Sequence, residues 1–396
     1  MPTRPCWVEI NARALEANFR FLAGLAQPHA ELLAIVKADA YGHGLAFCAS
    51  AAVRAGAQWL GVTSVEEGIA ARVSAAADPH IHILVLGGVF PGQGADVVRH
   101  RLTPVAWEAW QLDELEAAAP SADCGPLPIH LEIDTGMSRQ GADSESLAPL
   151  LARFGPASPL RLEGVMTHLF AADEADGRIT QSQLAQMDRV LRQVAAAGLR
   201  PQWLNVGNSA ALLAGQASAI GALAERHSMK ALMRPGLALY GLVPQYDPAF
   251  EPPEPPTLAA ARQRLHPVLS WKSTVVSVRS VPAAAVVGYN GTFVATEPMC
   301  LALVAAGYAD GLDRRLGNRF SLLVRGQRAP LIGRISMDQS ILDVTEISGV
   351  EPGDEVVLIG LQDGETLTAF DHAKAAKTIP WDVFTRIGPR VPRIAV

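Results

Sequence analysis

The chain has 396 residues, of which 49% are hydrophobic and 18% are charged, and its formal net charge is −6 at pH 7. This composition is typical of a globular protein and excludes a disordered chain. There is no basic cluster that could hold a phosphate backbone, so we expect no nucleic-acid partner. No apolar stretch approaches the roughly 20 residues that cross a bilayer, so we expect no membrane contact. The N-terminus has no apolar signal segment, and we therefore expect a cytoplasmic location.

The cysteines indicate neither a metal site nor a disulfide framework. Cys6, Cys48, Cys124 and Cys300 are widely scattered and form no Cys-x-x-Cys pair. This spacing is typical of reduced, structural thiols. We therefore predict no metal, and a small molecule as the partner.

Eight short apolar runs alternate with helical patterns in the first part of the chain. The predicted strands are residues 32–36, 59–62, 81–86, 102–105, 129–133, 162–166, 203–206 and 231–233. Between them, segments such as 145–153 and 181–194 have apolar residues at three- and four-residue spacing, as amphipathic helices require. Eight strands that alternate with helices over about 240 residues predict an α/β fold, a (β/α)8 TIM barrel.

The pattern changes after residue 243. The stretch 244–256 is rich in proline, which predicts a linker. Beyond it the chain has β-branched, alternating runs and an Asn290-Gly291 turn signal, which predict a mainly β domain. We therefore predict a cofactor-binding barrel at 1–243, a linker at 244–266 and a C-terminal mainly β domain at 267–396.

The predicted strand ends carry polar residues. In a barrel of this type the active site lies at the C-terminal ends of the strands. The residues that follow the strands there are Lys37, Tyr41, Asp134, Arg139, His168, Asn208, Ser209 and Arg234. This cationic set suits a small molecule with phosphate and carboxylate groups. A lysine in such a place can act as a general base, or can form a Schiff base with a carbonyl cofactor once burial lowers its pKa.

Two segments have features of a phosphate site. In 207–212, Asn208 or Ser209 can cap the following helix, whose free N–H groups can hold phosphate. In 234–241, Gly236 allows the backbone to approach a ligand closely. An ordinary helix cap and an ordinary turn are the alternatives.

Eight motifs, in this order, resemble those of alanine racemase, a pyridoxal-phosphate enzyme of fold type III. They are AIVKADAYGHG (34–44), IDTGMSR (133–139), TH (167–168) with ADE (172–174), NSAA (208–211), RPGLALYG (234–241), GYNGTF (288–293), GYADG (307–311) and RISMDQ (334–339). The resemblance covers nearly the whole chain. It implies interconversion of L- and D-alanine, D-alanine being a cell-wall precursor, in a homodimer with shared active sites.

The resemblance also implies a two-base mechanism. Lys37 would hold pyridoxal 5'-phosphate as an internal aldimine and act as one base. Tyr289 of the partner subunit would act as the other base, on the opposite face of the α-carbon. Arg234 would lie against the pyridine nitrogen and, because a guanidinium can only donate, leave that nitrogen unprotonated. His168 would tune Tyr289 and Arg234, although a satisfied core histidine is the alternative there.

Further roles follow from the same resemblance. The cofactor-binding residues would be Lys37, Tyr41, Asn208, Ser209, Arg234, Gly236, Leu237 and Trp381. The substrate carboxylate would be bound by Arg139 and the backbone N–H of Met337, while Tyr308 and Asp338 would line the entrance.

Two positions depart from the family pattern. Glu132 stands where many members have a lysine carbamylated by carbon dioxide, and we interpret it as a built-in carboxylate that pairs with Arg139. A glutamate on a solvated strand face is the alternative. Trp381 stands where the family usually has tyrosine, which leaves the size of the entrance open. For the segment 214–231 the sequence suggests no role.

Other functions remain open from the sequence alone. A racemase that acts on serine or on a broader set of amino acids would share every motif. A non-catalytic pyridoxal-phosphate-binding protein would need the barrel and Lys37 but not the C-terminal domain with Tyr289. A decarboxylase of the same fold type is disfavoured by Arg234, because that chemistry profits from a protonated pyridine nitrogen.

Overall fold

The computed structural model describes residues 4–75, 78, 80–119, 125–174, 176–243 and 254–396. These residues form two compact units. The first unit contains the described residues of Arg13–Ala40 and Leu45–His266. The second unit contains those of Met1–Ala12, Tyr41–Gly44 and Pro267–Val396. The second unit is therefore assembled from segments that are far apart in the sequence, whereas the first unit is nearly continuous.

The first unit is built on a closed barrel of eight parallel strands. After β1 (Cys6–Ile10), which belongs to the second unit, the barrel strands are β2 (Ala30–Ile35), β3 (Trp59–Val62), β4 (His82–Val85), β5 (Thr103–Ala106), β6 (Leu127–Glu132), β7 (Leu160–Met166), β8 (Trp203–Asn208) and β9 (Lys230–Arg234). The barrel closes where β9 pairs with β2. The predicted (β/α)8 barrel is confirmed, and each barrel strand overlaps the apolar run that predicted it.

Helices follow the barrel strands along the chain. They are α1 (Ala12–Ala26), α2 (Lys37–Tyr41), α3 (Leu45–Arg54), α4 (Val65–Ser74), α5 (Gly94–Arg99), α6 (Ala109–Ala118), α7 (Leu147–Leu151), α8 (Arg178–Ala196), α9 (Ser209–Leu213), α10 (Ala217–Arg226) and α11 (Pro256–Arg264). The predicted helices correspond to α7 and α8, and the segment 214–231 contains α10. In the part of the chain that the structure describes, no helix is long and apolar enough to cross a membrane.

Aromatic and imidazole rings pack together near the N-terminal ends of the barrel strands, where Trp59, His82 and Trp203 begin β3, β4 and β8. Trp59 stacks on His82 with ring centroids 4.2 Å apart, and it packs edge-on against Trp203 at 5.5 Å. His130 lies 5.6 Å from the same indole ring. Such close packing leaves the strands little freedom to move.

A short helix lies in the segment predicted as a linker. Residues 244–253 of that segment lie outside the described residues. The helix α11 begins at Pro256, because a proline at the first helical position fits the helical φ and needs no hydrogen-bond partner for its nitrogen. Thr257 joins α11 to α9 by a hydrogen bond from its Oγ1 to the backbone oxygen of Leu213, at 2.6 Å.

The second unit is mainly β, as predicted. Besides β1, its strands and helices are, in chain order, β10 (Leu269–Val281), β11 (Val286–Val287), β12 (Phe293–Val294), β13 (Met299–Val304), β14 (Ser321–Val324), β15 (Gln327–Pro330), β16 (Ser340–Asp343), β17 (Glu355–Gln362), β18 (Glu365–Leu367), α12 (Ala369–Ala376), α13 (Pro380–Thr385) and β19 (Arg393–Ala395). Among the described residues, nine of these strands form one sheet, in which β10 pairs with β1, β13 and β17. β11 and β12 form a separate hairpin.

The strand β1 was not predicted from the sequence. It pairs antiparallel with β10, with Cys6 opposite Ser273, and parallel with β19. The fully buried Trp271 donates its indole N–H to the Cys6 sulfur at 3.4 Å. Burial raises the pKa of the Cys6 thiol to about 11. Cys6 is therefore an unreactive thiol that belongs to the core of the sheet.

A buried carboxylate connects the N-terminal segment of the second unit to its C-terminal part. Asp310 is fully buried and forms ion pairs with Arg4 at 2.6 Å and with Arg390 at 2.8 Å. It also accepts a hydrogen bond from the backbone N–H of Gly307 at 2.9 Å. Arg390 in turn pairs with the exposed Asp338 at 2.8 Å. Because a buried charge without partners is strongly destabilising, Asp310 holds both arginines in place.

We predict that Asp310→Ala lowers the free energy of unfolding by on the order of 3 kcal/mol, because it removes the shared partner of two arginines. Asp338→Ala removes an exposed partner of the same Arg390 and should cost less than about 1 kcal/mol. Chemical denaturation of both variants measures the difference. Equal losses in the two variants would contradict the role assigned to Asp310.

Candidate active site

Lys37 follows β2 at the C-terminal end of the barrel and is half-buried. Burial lowers the pKa of its amine, and the guanidinium groups of Arg139 and Arg234 lower it further. The carboxylates of Glu67 and Glu132 act in the opposite direction. A lowered pKa increases the fraction of free amine, which is the form that attacks a carbonyl or accepts a proton.

The backbone directly after Lys37 is a left-handed turn. Ala38, Asp39 and Ala40 in α2 have φ values of 52°, 51° and 55°. This conformation costs an L-residue about 1 to 2 kcal/mol. Hydrogen bonds hold it: the N–H of Ala40 donates to Val36 O at 2.9 Å, and Asp39 Oδ1 accepts from the N–H of Leu45 at 2.7 Å.

Arg234, the last residue of β9, is buried. Its Nη1 donates to the backbone oxygen of Asn205 at 2.8 Å and also to the Oδ1 of the same residue. Its Nη2 donates to Thr167 O at 2.9 Å and to His168 Nδ1 at 3.3 Å. Burial lowers the pKa of Arg234 to about 10, so the guanidinium remains charged at neutral pH. Four of its five N–H donors therefore have acceptors, and among the residues that the structure describes Nε–H has none.

His168 follows β7 and is a neutral imidazole. Burial lowers its pKa to about 3, helped by the charges of Arg234, Arg139 and Lys37. A guanidinium can only donate, so Nδ1 of His168 is the acceptor in its contact with Arg234. The proton of the neutral ring therefore lies on Nε2.

Glu132, the last residue of β6, does not have the partner that we predicted. It is buried, and its Oε2 accepts from Gln140 Nε2 at 2.5 Å. Within the described residues, no ion pair joins Glu132 to Arg139, so the direct bidentate pair is absent. Burial raises the pKa of Glu132, whereas Gln140, Arg234 and Arg139 lower it.

The loop after β6 explains this change of partner. Asp134 Oδ1 accepts hydrogen bonds from the N–H groups of Gly136 at 2.8 Å and Met137 at 2.9 Å, and Oδ2 accepts from Ser138 at 3.0 Å. Ser138 has a φ of 55°. The loop therefore turns sharply just before Arg139, whose side chain is exposed. An exposed guanidinium next to other cations is available to a carboxylate ligand.

Asn208 and Ser209 organise the loops after β8 and β9. Asn208 Oδ1 accepts from the N–H of Ala211 at 3.0 Å and so caps α9. Ser209 Oγ accepts from the N–H of Gly236 at 2.9 Å and from that of Ala238 at 3.2 Å. The hydroxyl hydrogen of Ser209 is then available to an acceptor such as a phosphate oxygen. The adjacent Leu237 is buried.

Not all of the predicted residues belong to the barrel unit. Lys37, Glu132, Arg139, His168, Asn208, Ser209, Arg234, Gly236 and Leu237 are part of the first unit. Tyr41, Tyr289, Tyr308, Met337, Asp338 and Trp381 are part of the second unit. Burial raises the pKa of Tyr41 to about 12, so its hydroxyl stays protonated at neutral pH. Tyr289 lies in the β11–β12 hairpin and is 65% exposed.

Several polar residues of the barrel end were not predicted. Asn205 and Thr167 hold Arg234, Gln140 binds Glu132, and Glu67 faces Lys37. The position of Asn205 within the apolar run of β8 would have indicated it, because a polar residue inside an apolar strand needs a buried partner. No pattern in the sequence indicates Gln140 or Glu67.

The family models match both parts of the chain. The model "Alanine racemase, N-terminal domain" matches residues 10–244, and "Alanine racemase, C-terminal domain" matches residues 268–395. The chain belongs to the alanine racemase family. Alanine racemases of Sorangium cellulosum and Symbiobacterium thermophilum are 36% and 37% identical to it. These alignments cover 98% of this chain in both cases, and 98% and 97% of the two relatives.

Solved structures of the family have the same fold as this chain. The alanine racemase of Streptomyces lavendulae superimposes with a TM-score of 0.85 at 34% identity, over 100% of this chain and 98% of that protein. The alanine racemase of Bartonella henselae superimposes with a TM-score of 0.79 at 28% identity, over 100% of both chains. The latter structure has covalently bound pyridoxal phosphate.

We predict that His168 does not titrate between pH 8 and pH 5. Its pKa in the folded chain is about 3, below the ordinary value of 6.5. The unfolded chain therefore binds the proton first, and the contribution of His168 to stability is complete above pH 6.5 and decreases as the pH falls toward 3. Imidazole NMR signals, assigned by their loss in His168→Gln, provide the measurement. A titration midpoint near 6.5 would show that the ring is not buried among cations.

Proposed function

We propose that this chain interconverts L- and D-alanine with Lys37 and Tyr289 as its two bases. Membership of the alanine racemase family supports this function over the length of both domain models. The observation that carries the proposal is Lys37 itself, a lysine at the barrel end whose pKa is lowered by burial and by two guanidinium groups. Such an amine can accept a proton from the α-carbon of an amino acid.

Pyridoxal phosphate is the cofactor of this family, and the residues present fit it. Lys37 offers an amine to the carbonyl, and Ser209 offers a hydroxyl hydrogen to a phosphate oxygen. Within the described part of the chain, Arg234 has one N–H donor without a partner, on Nε, and this donor suits the pyridine nitrogen. When bound, the cofactor supplies an electron sink for the α-carbon. Because Arg234 cannot accept a proton, it would leave the pyridine nitrogen unprotonated and so favour racemisation over side reactions.

Tyr289 is the second base in this proposal. Racemisation requires a proton to be removed from one face of the α-carbon and returned to the other, which two bases on opposite faces do directly. Tyr289 is exposed on the β11–β12 hairpin together with Val286 and Val294. Exposed apolar side chains grouped in this way are typical of a binding surface. We infer a homodimer in which Tyr289 of each subunit serves the barrel of the other.

The remaining roles are also proposals. His168 tunes Arg234 through Nδ1, and Tyr41, Asn208, Ser209, Gly236, Leu237 and Trp381 bind the cofactor. Arg139 and the backbone N–H of Met337 bind the substrate carboxylate, and Tyr308 and Asp338 line the entrance. A cytoplasmic location and domain boundaries at 1–243, 244–266 and 267–396 complete the proposal.

The two bases can be separated by exchange of the α-hydrogen of alanine in D2O. We expect Lys37→Ala to lose the cofactor's covalent absorbance band and at least about 10²-fold in racemisation rate. Tyr289→Phe should lose about 10² to 10⁴-fold in racemisation rate. It should still exchange the α-hydrogen of one alanine enantiomer, the one whose hydrogen faces Lys37.

Chiral analysis of the product and ¹H NMR measure the two processes in the same samples. The two enantiomers serve as controls for each other in Tyr289→Phe. Equal exchange of both enantiomers in that variant would contradict the two-base assignment. A wild-type protein that binds pyridoxal phosphate but racemises neither alanine nor serine would contradict the proposed function.

We also predict that activity does not depend on bicarbonate. Glu132 provides a built-in carboxyl group among Arg234, Arg139 and Gln140. The resemblance implies a carbamylated lysine at this position in many family members. Removal of carbon dioxide should leave the wild-type rate unchanged. Glu132→Lys should be less active, and bicarbonate should partly restore it, because the new amine can form a carbamate. Activation of the wild-type enzyme by bicarbonate would be the contrary result.

A further inference from the structure

Glu67 connects two parts of the barrel end through its carboxylate. Its Oε1 accepts from the backbone N–H of Ala38 at 2.6 Å, and its Oε2 accepts from that of Thr63 at 2.8 Å. Its own position is fixed, because it lies in the first turn of α4 and donates its backbone N–H to the N-cap Ser64 at 3.3 Å. Both carboxylate oxygens therefore have partners on two separate loops.

The segment that Glu67 contacts is the left-handed turn that follows Lys37. A strained backbone persists only where surrounding groups hold it. The contacts of Ala40 and Asp39 hold the middle and the end of the turn. The hydrogen bond from Ala38 to Glu67 is the contact nearest to Lys37, since Ala38 is the next residue along the chain.

We propose that Glu67 is a positioning residue for the racemase reaction, whose carboxylate holds the turn at Ala38 and thereby orients the side chain of Lys37. This inference rests on the proposed role of Lys37. Glu67 acts through the backbone and takes no proton from the substrate. A misplacement of about 1 Å at a reacting group can lower a rate by about 10²-fold. We therefore expect loss of the Glu67 contact to lower kcat.

Charge gives Glu67 a second effect on Lys37. The charged groups that face Lys37 are Glu67, Glu132, Arg139 and Arg234, and the neutral His168 lies near them. The two carboxylates raise the pKa of Lys37, while burial and the two arginines lower it. Loss of the Glu67 charge therefore lowers the pKa of the Lys37 nitrogen.

Glu67→Gln, Glu67→Asp and Glu66→Gln, prepared as holoenzymes, test the proposal. Glu66→Gln is the matched control, because it removes the same charge one residue away. Among the contacts that the structure describes, the exposed side chain of Glu66 bonds to Gln93 and Ser64 and to no residue of the turn after Lys37. We expect Glu67→Gln to lower kcat by at least about tenfold with little change in KM. Amide hydrogen exchange over 37–40 should become faster, and the pH dependence of the cofactor absorbance should shift to lower pH.

Glu67→Asp separates geometry from charge. Aspartate keeps the charge, but its side chain is one methylene shorter and cannot reach both N–H groups. It should therefore lower kcat and speed amide exchange without the shift to lower pH. This variant also tests the proposal if Glu67→Gln fails to fold.

The proposal would be overturned if both Glu67 variants had the same kcat and the same amide exchange rates as the wild type and Glu66→Gln. An inactive wild-type enzyme would instead overturn the proposed function, and the exchange data would still report whether Glu67 holds the turn. Activity lost in the Glu67 variants but kept in the wild type and in Glu66→Gln supports both.

Discussion

The buried guanidinium of Arg234 is the interaction on which the barrel end depends. Its donors require acceptors, which are provided by Thr167 and His168 directly after β7 and by Asn205 in β8. Its charge then changes the neighbouring groups, since it lowers the pKa of both Lys37 and His168. Burial, together with this cation, therefore makes a nearby amine easier to deprotonate and keeps a nearby imidazole neutral. The carboxylates of Glu132 and Glu67 oppose this effect at Lys37 and prevent the site from being purely cationic.

The sequence predicted the parts of the fold that depend on local pattern. Parallel strands buried on both faces are apolar runs, and the residues that follow them reach the same end of the barrel, so the placement of Lys37 and Arg234 could be predicted. The partner of Glu132 could not, because a left-handed Ser138 redirects the chain before Arg139. The strand β1 was also missed, since its partners β10 and β19 lie in the last third of the chain. Non-local pairing and side-chain direction leave no periodic signal.

The second unit has a buried carboxylate, Asp310, that holds arginines in place, and an exposed carboxylate, Asp338, at its surface. Asp310 is fully buried between Arg4 and Arg390, and it also fixes the N–H of Gly307. The same Arg390 reaches Asp338, which is exposed beside the exposed Met337. The rigid ion pair thus orders the loop that carries Met337, while the loop surface remains accessible.

Two backbone N–H groups donate to the hydroxyl oxygen of Ser209 and leave its hydroxyl only as a hydrogen-bond donor. A serine oxygen has two lone pairs, and Gly236 and Ala238 occupy both of them. Ser209 can then only give a hydrogen bond to a ligand and cannot receive one. A fully ionised phosphate, which has acceptors and no hydrogen, matches this oxygen, whereas an alcohol or a protonated phosphate offers a hydrogen that finds no acceptor there. A ligand at Ser209 would therefore be selected by the direction of a hydrogen bond as well as by charge.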